Sequence, residues 1–186
     1  MSLSGARRTT RVSEREVVRT AAAFLQQLGY RVYPNLDSTD YFDLVARRGR
    51  EVGLVEAKVS GSREVLVQAL KRRAWGDWVA VVLSSERAAE RLAARTERSR
   101  AARVGVWATK NGGVRVVRAA VPWVRPGEDD PYSDLRDRFR SILDRVDAGE
   151  LSVEVPWSGV VSAVRRASGG RGFKEWRLDE PVEGGP

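Results

Sequence analysis

The spacing of apolar residues predicts a first helix over residues 13–28. Ser13 followed three residues later by Glu16 has the pattern of a capping box, and Gly29 is a typical terminator. Apolar side chains recur at helical intervals and define one buried face, formed by Val17, Val18, Ala21, Phe24, Leu25 and Leu28.

Short apolar runs bounded by turn residues predict a β-sheet. Gly49 and Arg50 separate two of these runs, and an Asn111–Gly112 hairpin signal separates the last two. The run at 78–83 is apolar throughout, which is typical of a strand covered on both faces. Six strands are expected, at about residues 31–36, 41–47, 51–59, 78–83, 104–109 and 114–119.

Two further helices, at 63–75 and 85–103, alternate with these strands. The order predicts an α/β fold in which a mixed β-sheet is flanked by helices. Prolines and acidic residues then mark a linker at 121–132, which would separate a core at 1–120 from a small extension at 133–186. The extension is expected to be mostly helical, with helices at 133–147 and 157–167 before a loose Gly/Pro tail.

Composition narrows the chemistry that this chain can perform. The 186 residues include no cysteine and no histidine, which excludes zinc fingers, thiol nucleophiles and Ser-His-Asp triads. The net charge is +8, and residues 61–120 alone carry an excess of eight positive charges. A polyanionic partner is therefore favoured, although a surplus of arginine in a GC-rich genome would give the same charge.

No apolar run reaches the length of a membrane span, and no apolar segment of a secretion signal follows the basic residues at the N-terminus. We therefore expect a cytoplasmic protein without a membrane partner.

Three charged residues of the second predicted hairpin share one face. If Gly49 and Arg50 form a type II′ turn, the register places Asp43 opposite Glu56. Period-two alternation adds Lys58 to the same face. Two like charges in a half-buried position repel each other unless a cation lies between them.

Mg²⁺ is the cation that this arrangement suits, because it prefers oxygen ligands and commonly binds one or two carboxylates together with a substrate phosphate. Mn²⁺ is the expected substitute. Asp43 and Glu56 would hold the metal, and Lys58 would orient or deprotonate the attacking water or stabilise the transition state. The alternative is an ordinary ion pair on an amphipathic strand.

This pattern resembles the PD-(D/E)XK nuclease superfamily, which has the restriction-endonuclease-like fold. The resemblance covers about residues 13–120 and is nearest to members of the Holliday junction resolvase type. Asp43 is similar to the first metal-binding acid of the family, and Glu56-Ala57-Lys58 is similar to its E-x-K element. The resemblance implies a Mg²⁺-dependent nuclease of the restriction, repair or recombination type.

Two more residues gain candidate roles from this resemblance. Glu14, in the segment Glu14-Arg15-Glu16-Val17-Val18, matches an acid that supports the metal, and its helical spacing directs it toward the sheet. Gln68 matches a glutamine that contacts substrate or the attacking water in some members. Each also has an ordinary explanation, for Glu14 a solvated acid at a helix start and for Gln68 an exposed helical side chain.

Basic residues of the second predicted helix are candidates for contacts with nucleic-acid phosphates, or else form a solvated helix face. They are Arg63, Lys71, Arg72 and Arg73. We expect phosphodiester hydrolysis with DNA favoured over RNA, and a symmetric homodimer would suit double-strand cutting. The alternative function is a catalytically silent nucleic-acid-binding or scaffolding module on the same fold.

Overall fold

The computed structural model describes residues 12–34, 42–61, 63–124 and 129–151, and the predicted helix at 157–167 lies outside these ranges. In this part of the chain the helices are α1 (Glu14–Gln27), α2 (Arg63–Arg72), α3 (Glu86–Arg95) and α4 (Ser133–Asp147). The strands are β1 (Arg31–Pro34), β2 (Leu44–Arg48), β3 (Glu51–Lys58), β4 (Trp78–Leu83), β5 (Gly105–Lys110) and β6 (Gly113–Arg118).

The strands form one mixed, open sheet in the order β1-β2-β3-β4-β5-β6. The three central strands β3, β4 and β5 are parallel, and the hairpins at both edges are antiparallel. The predicted α/β class and mixed sheet are therefore confirmed. None of the helices in the described ranges is long and apolar enough to cross a membrane.

Helices cover both faces of the sheet. The apolar stripe of α1, with Val17, Ala21 and Leu25, packs on the face that includes Leu44, Val55 and the side chains next to them. On the opposite face, α2, α3 and α4 enclose the larger part of the core. This arrangement explains why β4 is apolar at every position, since all six of its residues are buried.

Helix α4 belongs to the main core, although sequence analysis assigned it to a C-terminal extension. Phe139 is fully buried, with its ring 5.7 Å from that of Phe42 and 6.0 Å from that of Trp75. Polar contacts also attach this helix, because Arg140 donates to Asp77 at 2.6 Å. Helix α4 thus completes the layer formed by α2 and α3.

The single helix predicted over 85–103 is wrong, because α3 ends at Arg95 and a separate 3₁₀ turn spans Arg100–Arg103. The Thr96 hydroxyl donates to the carbonyl of Leu92, and the Ser99 hydroxyl accepts from the backbone N–H of Ala101. Short polar side chains of this kind compete with the helical hydrogen bonds, so the chain turns at this point.

The β2–β3 hairpin has the predicted register. Arg48 pairs with Glu51 and Leu44 pairs with Val55, so Asp43, one residue before β2, lies across from Glu56. Gly49 has φ of +60°, as the first position of a type II′ turn requires. Turn and register together place the two carboxylates on the face covered by α2.

Candidate active site

Asp43, Glu56 and Lys58 come together near the carboxyl end of β3. Asp43 is held against this strand because the backbone N–H of Ala57 donates to its Oδ2 at 2.7 Å. Glu56 and Lys58 lie two residues apart on the same face of β3. The structure thus groups the three residues that sequence analysis selected.

The Lys58 ammonium lies among three carboxylates. Its Nζ donates to Glu14 Oε1 at 2.8 Å, and it lies 3.6 Å from Glu56 Oε1 and 3.9 Å from Asp43 Oδ2. Glu14 reaches this position from the first turn of α1, while Glu16 forms the predicted capping box with Ser13. Helix α1 therefore contributes a carboxylate to the site.

Arg72 is a member of the site that sequence analysis listed only for phosphate contacts. Its Nη2 and Nε lie 3.1 Å and 3.2 Å from Glu56 Oε2, and its guanidinium lies 5.7 Å from the centre of the Phe42 ring. The sequence contained a signal for this position, because Arg72 lies seven residues after Val65 and three after Ala69, which is the spacing of one helix face. Both are buried, so Arg72 lies on the helix face that meets the sheet.

The two inner carboxyls are buried, with exposed fractions of 8% for Asp43 and 4% for Glu56. Loss of hydration raises the pKa of Asp43, although the Ala57 N–H and the Lys58 charge oppose this. Burial likewise raises the pKa of Glu56 against the opposing charge of Arg72. Burial lowers the pKa of Lys58, but the surrounding carboxylates raise it overall above its ordinary value. The lysine is therefore charged at neutral pH.

Asp43→Asn is expected to stabilise the metal-free protein at neutral pH. A carboxyl whose pKa is raised by folding favours the folded state when protonated, and this contribution is lost as pH rises through the folded pKa. Asparagine mimics the neutral form and can still accept from the Ala57 N–H. Thermal unfolding with a chelator should give a higher midpoint for Asp43→Asn at pH 7 and a shrinking difference as the pH falls toward 4. An equal or lower midpoint at pH 7 would contradict this prediction.

The carboxylate oxygens of this site are ligands of the kind that Mg²⁺ prefers. Asp43, just before β2, and Glu56, on β3, supply two carboxylates, the number that Mg²⁺ commonly takes from a protein beside water and substrate phosphate. Within the described ranges, no group of three or more acidic side chains is arranged to hold a metal ion. The protein's share of a coordination shell would thus be the inner pair, with Glu14 held at its edge by Lys58.

The remaining predicted residues lie on or just after α2, at different distances from this cluster. Gln68 is half-buried one turn before Arg72, and Arg63 and Lys71 are exposed. Arg73 packs its guanidinium against Trp123 and Tyr132, and its carbonyl accepts from Arg136. The side chain of Arg73 therefore contacts the segments before α4.

Comparisons of the chain with models of protein families, with curated proteins and with solved structures found no match. The family resemblance of Asp43 and the Glu56-Ala57-Lys58 motif therefore stays a prediction.

Proposed function

We propose that this protein is a Mg²⁺-dependent nuclease of the PD-(D/E)XK type that hydrolyses phosphodiester bonds in DNA. The mixed sheet would then be a variant of the restriction-endonuclease-like fold. One observation carries the proposal: an ammonium at the end of a central strand lies within 4 Å of carboxylates from α1, β3 and the start of β2. A partly buried cluster of charges contributes little to stability, because the cost of removing the charges from water offsets their attraction. Its presence therefore favours a chemical role.

In this proposal Asp43 and Glu56 hold the metal, and Glu14 supports it from α1. Bound Mg²⁺ lowers the pKa of a water ligand and neutralises charge on the phosphoryl oxygens. Asp43 keeps a fixed orientation because the Ala57 N–H anchors one carboxylate oxygen, leaving the other for a ligand. Arg72 fixes Glu56 in the same manner through Oε2, so Oε1 faces the cluster.

In this scheme Lys58 acts as a positively charged hydrogen-bond donor. Its pKa is raised by the surrounding carboxylates, so its Nζ holds its proton at neutral pH. An ammonium can donate hydrogen bonds to a water and to a phosphoryl oxygen, while a charged lysine cannot accept a proton. We therefore assign Lys58 to orienting the attacking water and stabilising the transition state.

A catalytically silent nucleic-acid-binding module is the second candidate function. The contacts of Glu56 favour it, since Arg72 contacts one carboxylate oxygen and Lys58 approaches the other. If these cations stay in place, they neutralise the carboxylate that should bind the metal. The protein would then bind nucleic acid without cleaving it.

Cleavage assays with and without divalent metal separate the two functions. Purified protein is incubated with linear, supercoiled and branched DNA and with RNA, in Mg²⁺, in Mn²⁺ and in a chelator. We expect cleavage of at least one DNA substrate in either metal and none in the chelator. Lys58→Ala protein, purified in parallel, identifies any contaminating nuclease because it should lack this activity.

Arg50→Ala is the matched control for loss of a positive charge. Arg50 is highly exposed in the β2–β3 turn, at the other end of the strands from Lys58, and its contact with Asp137 is long at 3.4 Å. Its cleavage rate should equal that of the wild type. Binding without cleavage under every metal condition would overturn the nuclease and favour the silent module.

A further inference from the structure

The outer surface of α3 and of the turn after it carries a row of exposed arginines. The first three recur every four residues along one side of α3, and the fourth lies in the turn after it. None of their side chains makes an ion pair or hydrogen bond with another residue in the part of the chain that the structure describes. The members of this arginine row are Arg87, Arg91, Arg95 and Arg98.

Intervening glutamates in the sequence suggest surface ion pairs for this row, but the structure gives two of them other partners. Glu86 and Glu90 lie on the side of α3 that faces β6, where Arg115 contacts both. Lys110 also approaches Glu86, at 2.9 Å. The cations of the β5–β6 hairpin therefore pair with these two carboxylates, and Arg87 and Arg91 have no acidic partner among the described residues.

The helix that carries the arginine row starts just after a strand end that is paired with the end of β3, where the candidate active site lies. Strands β3 and β4 are parallel, with Lys58 paired to Leu83. The backbone N–H of Ser84 donates to the Lys58 carbonyl at 3.2 Å, which attaches the start of α3 to the end of β3. From Arg87 to Arg95 the row extends about 12 Å along the helix.

We infer that the arginine row binds the sugar-phosphate backbone of the nucleic acid on which the site acts. The choice of nucleic acid rests on the proposed function, whereas the charge of the surface does not. Duplex DNA presents one negative charge per about 1.7 Å of its axis, so a row of this length faces several phosphates. Arginine also offers a planar set of donors that matches a phosphate group.

Salt-dependent binding tests the arginine row separately from cleavage. The Arg87→Gln/Arg91→Gln variant is compared with the wild type on one duplex DNA and one RNA, in a chelator, from 50 to 300 mM salt. Each lost phosphate contact makes the negative slope of log K against log salt less steep by about 0.9. For this variant we expect the magnitude of the slope to fall by about 1 to 2 and the affinity at 0.1 M salt to fall about tenfold or more.

Arg50→Gln/Arg138→Gln is the matched control, because it removes two exposed positive charges, one in the β2–β3 turn and one on α4 next to Asp137, which contacts Arg50. This variant should retain at least half of the wild-type affinity and the same salt slope. Equal losses of affinity in both double variants would show that the effect comes from net charge alone, which would overturn the inference. Unchanged binding in Arg87→Gln/Arg91→Gln would do so as well.

Failure of the proposed function gives a different result. If wild-type protein binds through the arginine row but never cleaves, the inference about the arginine row is supported and the proposed nuclease activity is overturned. If wild-type protein cleaves and the Arg87→Gln/Arg91→Gln variant shows the same dependence of rate on DNA concentration, the nuclease activity is supported and the inference about the arginine row is overturned. An apparent KM raised about tenfold with unchanged kcat is the result that supports both.

Discussion

Replacing Lys58 with alanine is expected to lower the rate of metal-dependent DNA cleavage by about 100- to 1,000-fold. The ammonium lies 3.6 Å from Glu56 and 3.9 Å from Asp43, so it would be close to any phosphate bound to a metal ion that these carboxylates hold. Negative charge that develops on the phosphoryl oxygens would lose its nearest fixed donor in this variant. Single-turnover cleavage at saturating enzyme measures the effect on the chemical step without a contribution from binding.

Loss of Lys58 also changes the electrostatics of the folded protein, so stability must be measured together with activity. Alanine leaves Asp43 and Glu56 buried with less positive charge nearby, which favours their protonation and lowers stability at neutral pH. Lys58→Arg keeps the charge but replaces a compact ammonium with a planar group. Both variants should melt as single cooperative units, and both should lose most of the cleavage.

A cleavage rate within threefold of wild type in folded Lys58→Ala would remove Lys58 from the proposed mechanism. DNA affinity in a chelator provides the complementary measurement. It should change less than threefold, because one partly buried lysine adds little to a surface that carries many arginines. A loss of binding equal to the loss of cleavage would indicate that Lys58 contacts the nucleic acid mainly as a general positive charge.

The inner part of the site was predictable because it depends on local geometry. Strand alternation and a two-residue turn fix which side chains of a hairpin face each other. Asp43 and Glu56 lie opposite each other on the two arms of one such hairpin. Lys58 follows from the same alternation. No long-range contact was needed to place these three residues on one face.

The outer part of the site depends on packing between distant segments. Helical spacing directed Glu14 toward the sheet, but its 2.8 Å contact with Lys58 joins residues 44 positions apart. The contact of Arg72 with Glu56 depends on how α2 lies over β3. Periodicity shows which face of a helix is buried and leaves open which residues of the sheet that face meets.

The position of α4 shows the same limit on a larger scale. Its apolar residues predicted an amphipathic helix at 133–147, and the structure has these bounds. A proline-rich and acidic stretch before it indicated a separate extension. The spacing gave the helix a buried face, but only the tertiary structure shows that this face covers Phe42 and Trp75.

Phe139→Ala is expected to destabilise the whole protein by about 3–5 kcal/mol, because truncation of a buried phenylalanine leaves a cavity. This is a large part of the 5–15 kcal/mol that typically stabilises a domain. Phe139 is fully buried against Phe42 and Trp75, so its loss reaches the core beneath α2. Denaturant unfolding monitored by tryptophan fluorescence gives the change in free energy.

Val116→Ala provides the comparison for a shortened apolar side chain at an exposed position, since Val116 is 44% exposed on β6. Its effect should stay within about 0.5 kcal/mol. If α4 were a separate module, Phe139→Ala would melt only that module and leave a second transition for the sheet. A single cooperative transition at lower denaturant is expected instead. Because Phe42 directly precedes Asp43 in the chain, this loss of packing should also lower cleavage in conditions where the variant is still folded.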